Sequence, residues 1–264
     1  MPTGRDPAHL DGERARPAPA GSRLDRSGAR ELTGERLQPR VLETLEGADR
    51  YNRWLAELTF PYLGDDPLEA GSGIGTNAAL WLELGAARVT VSELDPVALD
   101  RLRGRFADDP RVALETIDLT EAPKRDHSAF VALNVLEHIE DDREALRGAA
   151  SLVRPGGRVI VFVPAFPFAA GKFDRAIGHH RRYTKSTLTA AYKESGLTIE
   201  NIRYVNAPGL PAWFVSVRLL GAEPRDGVLL RLWDRGVIPV ARRLEQFRPP
   251  PFGQSVLAVG HTKA

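Results

Sequence analysis

An acid followed by glycines at alternate positions stands out in Glu69-Ala70-Gly71-Ser72-Gly73-Ile74-Gly75, with a run of helical character behind it. Glycine lacks a Cβ and tolerates positive φ, so a turn of this composition lets the backbone approach a ligand closely. The helix N-terminus that follows adds unpaired N–H groups and the positive end of a dipole. The spacing is G-x-G-x-G, whereas dinucleotide binding needs G-x-G-x-x-G and a phosphate loop ends in Gly-Lys-Ser/Thr. About 20 residues further on, Glu93 closes a short β-rich segment, where one carboxylate can accept from the two adjacent hydroxyls of a ribose. Asp118 closes the next such segment. His138, His179 and His180 are imidazoles, the side chains whose charge changes near neutral pH.

The elements that must position these groups alternate. Apolar residues at helical spacing from Leu37 to Tyr62 predict one or two helices before the first strand, which ends at Glu69. Thr76 to Leu84 reads as a helix stopped by Gly85, and Ala87 to Ser92 as the second strand. Asp95 is expected to cap a helix over Pro96–Arg105, with proline in its first turn. Val112 to Ile117 is the expected third strand. Ala129 to Leu133 is apolar throughout, as suits a parallel strand covered on both faces. A helix from Asp142 to Leu152 is expected to close at Arg154-Pro155-Gly156-Gly157, before a fifth strand over Arg158–Val163. Thr187 to Ser195 is read as a helix, with Thr184 capping it, and Leu197 to Val205 and Ser255 to Gly260 as the last two strands. Strands alternating with helices in this way predict a parallel, doubly wound α/β sheet whose ligand lies beyond the strands' carboxyl ends. Gly71–Gly75, Glu93, Asp118 and Asn134–His138 all fall at those ends.

The acid-and-glycine turn resembles motif I of the class I S-adenosylmethionine-dependent methyltransferases. Asn134-Val135-Leu136-Glu137-His138-Ile139 matches a second marker of that family. The chain also resembles bacterial natural-product small-molecule methyltransferases. The resemblance implies a Rossmann-like seven-stranded sheet with an antiparallel last strand. It implies S-adenosylmethionine as cofactor and no metal. Glu69 would lie near the amino group of that cofactor, with Gly71, Ser72, Gly73 and Gly75 against its methionine and ribose parts. Glu93, with Leu94 beside it, would hold the ribose. Asp118 would accept from the adenine amino group and the Leu119 backbone would reach the ring, although Asp118 can equally cap a turn. Asn134 and His138 would border the methionine end and the acceptor pocket.

Composition bounds the remaining possibilities. The chain of 264 residues has 36 basic and 35 acidic side chains, a balance that gives no footprint of a nucleic-acid partner. With no cysteine, disulfides, thiolate metal sites and a cysteine nucleophile are all excluded. No secretory leader or membrane span is expected, and the chain is expected to be cytoplasmic. Residues 1–35 are rich in Pro, Gly, Arg and Ala, and are expected to form a disordered arm. Residues 36–264 then make one methyltransferase domain, with 36–63 as a helical cap and 165–183 and 207–250 as substrate-side insertions.

The acceptor must be recognised by these embellishments. Tyr51 sits on the cap, where its phenol can pack or hydrogen-bond. Gly178-His179-His180-Arg181-Arg182-Tyr183-Thr184 resembles a G-H-x-R-R-Y-T block of bacterial members of the superfamily. That implies a structural role for His179, Arg182 and Tyr183 and leaves His180 as the individual residue. Tyr51, His138, His179 and His180 are therefore the candidate catalytic groups, with His180 favoured as base. Phe166, Phe168, Phe173, Trp213 and Phe214 around them suggest a flat aromatic or indole-like acceptor. The alternative is an anionic acceptor, phosphorylated, carboxylated or lipid-linked, met by Lys172, Arg175, Arg181, Arg182 and Lys185. RNA methylation and a non-enzymatic binding module are the readings from other classes. The helical stretch before the last strand is expected to wall the pocket or pair two subunits in a homodimer, ahead of lying on a membrane surface.

Overall fold

The computed structural model describes residues 48–221 and 227–263. The expected disordered arm, and the part of the cap before Ala48, lie outside those residues. The sheet has seven strands: β1 (Pro67–Ala70), β2 (Val89–Ser92), β3 (Val112–Glu115), β4 (His127–Leu133), β5 (Val153–Pro164), β6 (Thr198–Val205) and β7 (Ser255–His261). Their order is β3-β2-β1-β4-β5-β7-β6. Strands β1 to β5 run parallel, and β7 is antiparallel to both β5 and β6. The parallel, doubly wound sheet with its antiparallel last strand is therefore present.

The helices are α1 (Asp49–Thr59), α2 (Thr76–Glu83), α3 (Pro96–Arg105), α4 (Asp142–Ser151), α5 (Lys172–Ala176), α6 (Lys185–Glu194), α7 (Gly209–Trp213) and α8 (Val228–Phe247). On one face of the sheet, Trp54 and Leu55 of α1, Ala78 and Trp81 of α2, Leu102 of α3 and Ile238 and Ala241 of α8 share a core with Val91, Val131 and Ile160. On the other face, Ala145, Leu146 and Ala149 of α4 and Leu188, Ala191 and Tyr192 of α6 pack on Phe130, Val161 and Ala258. All seven residues of β4 are buried, the expected apolar run Ala129–Leu133 among them.

Local signals hold at several ends. Asp95 accepts the Ala98 N–H at 2.8 Å, with Pro96 in the first turn of α3. Thr184 caps α6 through the Thr187 N–H at 3.2 Å. Gly85, at φ +106°, follows α2. Several boundaries shift by one or two residues, and three differ for a local reason. The third strand ends at Glu115, because Ile117 gives its N–H to the Ser92 hydroxyl (2.9 Å) rather than to a ladder. Arg154–Gly157 is an excursion within β5, since Val153 already pairs with His127 and regular pairing resumes at Ala129 with Arg158. The helical stretch expected before the last strand opens with the short α7, which widens into a looser turn over Phe214–Leu219.

Candidate functional site

The glycine turn joins β1 to α2 at the carboxyl edge of the sheet. Gly71, Gly73 and Gly75 all have positive φ, at 65°, 56° and 79°. Space forbids side chains as well: a Cβ on Gly71 would meet Val135 Cγ2 at 2.5 Å, and one on Gly75 would meet Phe106 Cε2 at 2.4 Å. Ser72 ties the turn to the strands. Its N–H reaches Ser92 O at 3.0 Å, and its hydroxyl donates to Glu69 O at 3.1 Å. Arg105 holds Ile74 O from α3 at 2.8 Å.

Glu69 is 1% exposed. Its Oε1 accepts from Asn77 Nδ2 at 3.1 Å, while Oε2 is buried with no hydrogen-bond partner among the described residues. Burial pushes this carboxyl up to about 8, with the Asn77 hydrogen bond acting the other way. Glu93, half-buried at the end of β2, accepts from Gly73 N at 2.8 Å through Oε2, and from Leu94 N at 2.7 Å and Asp95 N at 3.0 Å through Oε1. A carboxylate has about four acceptor positions, so three are already used and a diol binding through both hydroxyls must open one of these N–H bonds. The orphaned Glu69 oxygen and the side-chain-free turn beside it form a cradle with an acceptor at its base. That arrangement fits a nucleoside ligand carrying an ammonium group.

The other expected cofactor residues lie on the same edge with less commitment. Asp118 is exposed and caps its own turn, accepting from Thr120 N at 2.9 Å and Thr120 Oγ1 at 2.7 Å, and these bonds lower its pKa. Leu94 is exposed and Leu119 is buried. Asn134 leaves β4 at φ +56°, exposed, with its N–H on Phe162 O at 2.8 Å.

Next to Asn134, a single turn (Leu136–His138) packs against the segment 171–183. Asp174 organises that segment. It accepts from Gly171 N at 2.8 Å, from Arg182 Nε at 2.6 Å, and pairs with His179 Nδ1 at 3.2 Å. Burial raises the Asp174 carboxyl, but the bonds from His179 and Arg182 overcome this and draw it down to about 2. The Arg182 guanidinium also lies 4.9 Å from the Trp213 ring centroid, which links the segment to α7. Tyr183 donates to Asp142 Oδ2 at 2.9 Å, and burial followed by the Asp142 charge pushes its phenol up. His179 and Arg182 are thus bound to one internal carboxylate and Tyr183 to another. His180 is different: its side chain is exposed, and only its N–H is held, by Glu137 O at 2.8 Å.

Glu137 is the group that reading single residues missed. It is completely buried, and neither carboxylate oxygen has a hydrogen-bond partner among the described residues. Burial pushes it up to about 8. Its Oε1 lies 3.8 Å from His179 Nε2, so Asp174, His179 and Glu137 form a file. His138 stacks edge-on against His179 at 4.6 Å between centroids, and burial followed by the His179 charge lowers it to about 4. Ligand atoms of Glu137, His138 and His179 lie within 4.8 Å of one another, close enough to take a cation. The sequence signal for Glu137 was its place inside the N-x-L-E-H-I marker.

Tyr51 projects from α1 with its ring edge-on to Trp54 at 6.4 Å. Burial raises its phenol, and a hydrogen bond with Ser255 works against this. Ser255 pairs with Pro164, the last residue of β5, so Tyr51 also reaches the carboxyl edge. Nearby, Phe166 stacks on Tyr204 at 4.9 Å and meets Phe168 at 5.2 Å, while Phe173 lies 5.5 Å from Trp213. A cleft of about 780 Å³ lined by Glu140, Asp142, Arg143, Arg181 and Thr187 contains none of the glycine-turn residues.

Known proteins resemble this chain in sequence and in fold. Residues 68–159 match the family model of a methyltransferase domain. A probable S-adenosylmethionine-dependent methyltransferase of Mycolicibacterium smegmatis is 31% identical over 175 residues, which are 64% of this chain and 66% of that protein. Two relatives from Mycobacterium tuberculosis are 30% identical with 60% of their length covered, so the chain spans less than two thirds of the curated relatives it matches first. Among solved structures, an S-adenosylmethionine-dependent methyltransferase from Mesorhizobium loti has a TM-score of 0.55 at 18% identity, covering 78% of this chain and 95% of that one. A geranyl diphosphate C-methyltransferase from Streptomyces coelicolor A3(2), in complex with Mg2+, geranyl diphosphate and S-adenosyl-L-homocysteine, has a TM-score of 0.55 at 13% identity, with 78% and 76% covered. At these identities the structural likeness is one of fold.

Proposed function

The chain belongs to the class I S-adenosylmethionine-dependent methyltransferases, and from that premise we propose that it methylates a small, electron-rich aromatic or heteroaromatic acceptor of secondary metabolism. What supports the methyl-transfer part of this reading is the cradle at Glu69–Gly75, with an unsatisfied buried carboxyl oxygen at its base and Glu93 bonded to Gly73 N–H at its rim. S-adenosylmethionine, when bound, supplies a sulfonium methyl carbon that is already electrophilic. The protein therefore mainly has to orient an acceptor and exclude water.

In this reading Glu69 takes the ammonium group, Gly71 to Gly75 admit the methionine and ribose, Glu93 takes the ribose hydroxyls and Asp118 with Leu119 lies along the base. Phe166, Phe168 and Trp213 offer the flat apolar surfaces for an aromatic acceptor. His180 is the base, because its imidazole is exposed while the His179 and Arg182 side chains are held by Asp174. It removes a ring N–H proton as the acceptor attacks, a task suited to imidazole. His138 and Tyr51 line the same edge as orienting groups.

The anionic-acceptor alternative loses two of its cations, since Arg181 pairs with Asp142 at 3.0 Å and Arg182 with Asp174. Calorimetry with S-adenosylmethionine, followed by detection of S-adenosylhomocysteine release over a panel of indoles, phenols and phosphorylated acceptors, tests the proposal. Absence of S-adenosylmethionine binding would overturn it, and release only with phosphorylated acceptors would transfer it to the alternative.

A further inference from the structure

Helix α8 buries both of its acids yet leaves an apolar stripe outside. Its buried residues are Asp234, Ile238, Ala241 and Glu245, which recur at helical spacing and face the domain. The opposite side carries Val228, Leu229, Leu232, Val240, Leu244 and Phe247, with exposures from 58% for Val240 to 83% for Leu229. At about 100° per residue, Leu229, Leu232, Val240, Leu244 and Phe247 fall within an arc of about 120°. A helix of a globular domain normally turns such a stripe inward. The preceding part of the same insertion repeats the feature at Val215, Leu219 and Leu220, which are 50%, 61% and 76% exposed.

Charge distinguishes the possible occupants. Both acids among the described residues of 209–221 and 227–247 are 4% exposed and engaged in the fold. Asp234 accepts from Arg50 N and Tyr51 N, and Glu245 from Asn206 N and Ala207 N. The exposed charged residues of those stretches are arginines: Arg218, Arg231, Arg235 and Arg243. Arg243 lies inside the apolar arc. A second copy docking about a two-fold axis would set this face against itself and bury arginine with no acid on the stripe to meet it, an unfavourable arrangement. An anionic bilayer surface suits both components: the apolar side chains enter the boundary of the acyl chains while arginine heads stay at the phosphates.

We propose that the outward face of α8 is a membrane-interface surface that docks the protein on anionic lipid. The surface does not depend on the chemistry assigned to the cradle. It is tested by floating the full chain with vesicles of phosphatidylcholine alone, or with roughly 30% phosphatidylglycerol added. The chain should float with the anionic vesicles, much less with the neutral ones, and the binding should fall steeply in salt on the order of 0.5 M. The double substitution Leu229→Glu and Phe247→Glu should lower partitioning about tenfold or more while calorimetric binding of S-adenosylmethionine stays as in the parent. Failure to float at any composition would overturn the proposal, as would equal flotation of the double variant. A dimer seen by light scattering, abolished by the same substitutions and without flotation, would assign the face to a second copy instead.

Discussion

Asp234, in the first half of α8, accepts the backbone N–H of Tyr51 at 2.9 Å with Oδ1 while its Oδ2 takes that of Arg50 at 3.1 Å. These are donors of the first turn of α1, whose own N-cap residue, Ala48, has no side-chain acceptor. A residue 183 positions away in sequence thus caps the helix that brings Tyr51 to the ligand edge.

Asp234→Ala should therefore destabilise the fold by about 2 kcal/mol, the upper range for a lost cap, because the two N–H groups are left without their acceptor. Asp234→Asn keeps one acceptor oxygen and should cost roughly half of that. Urea unfolding reads both values. An unchanged midpoint for Asp234→Ala would refute the capping role.

Stability should fall as pH rises from about 4.5 to about 8. Glu69 and Glu137 each go from ordinary values in the unfolded chain to about 8 when folded. Between these limits the unfolded state has released the proton and the folded state retains it, so each group contributes a slope of up to roughly −1.4 kcal/mol per pH unit. Glu137→Gln should flatten the profile on the alkaline side. Asp174 acts at the opposite end: held at about 2, it stabilises above its unfolded value, and this contribution is lost as pH falls from about 4 toward 2. Thermal unfolding from about pH 2 to about pH 9 measures both limbs.

Cofactor affinity should respond to the cradle more than to its surroundings. Gly75→Ala puts a Cβ 2.4 Å from Phe106 at a φ of +79°, and should reduce S-adenosylmethionine affinity by at least about tenfold while also lowering stability. Glu69→Gln keeps the shape and removes the ionisable proton. It should weaken binding and abolish the proton release that accompanies binding near pH 7, read by calorimetry in buffers of different ionisation enthalpy. Equal proton release by the variant would remove Glu69 from the ammonium site.

The adjacent histidines should separate cleanly. His179→Ala removes a partner of buried Asp174 and should cost about 1–3 kcal/mol of stability. His180→Ala should leave unfolding unchanged and lower turnover by about a hundredfold or more at neutral pH, the usual contribution of a base. Turnover unaffected by His180→Ala would remove the base assignment.

Chelation should change neither cofactor binding nor turnover, because a sulfonium needs no Lewis acid to make its methyl group reactive. Loss of activity in chelator, restored by a divalent cation, would make Glu137, His138 and His179 a metal centre.

The alternation of strands and helices, the glycine turn and the acids at the strand ends were legible in the sequence because each depends on local rules. Positive φ favours glycine at 71, 73 and 75, a buried parallel strand reads as an apolar run at 129–133, and Asp95 accepts the N–H three residues on at the start of its helix. The paired histidines were also separable in principle, since neighbouring side chains in an extended segment diverge. Tertiary structure alone decided which carboxylates are satisfied. Glu69 and Glu137 are held protonated near neutrality by burial, and Asp174 is held ionised by groups five and eight residues away. It also decided the use of α8. Its helical period was plain in the sequence, but the period does not say which side faces the core. Asp234 and Glu245 had to find the backbone N–H groups of Tyr51 and Ala207 before the leucines could be left outside. Hydrogen bonds to distant backbone depend on where chain segments meet, and no spacing along the sequence encodes that.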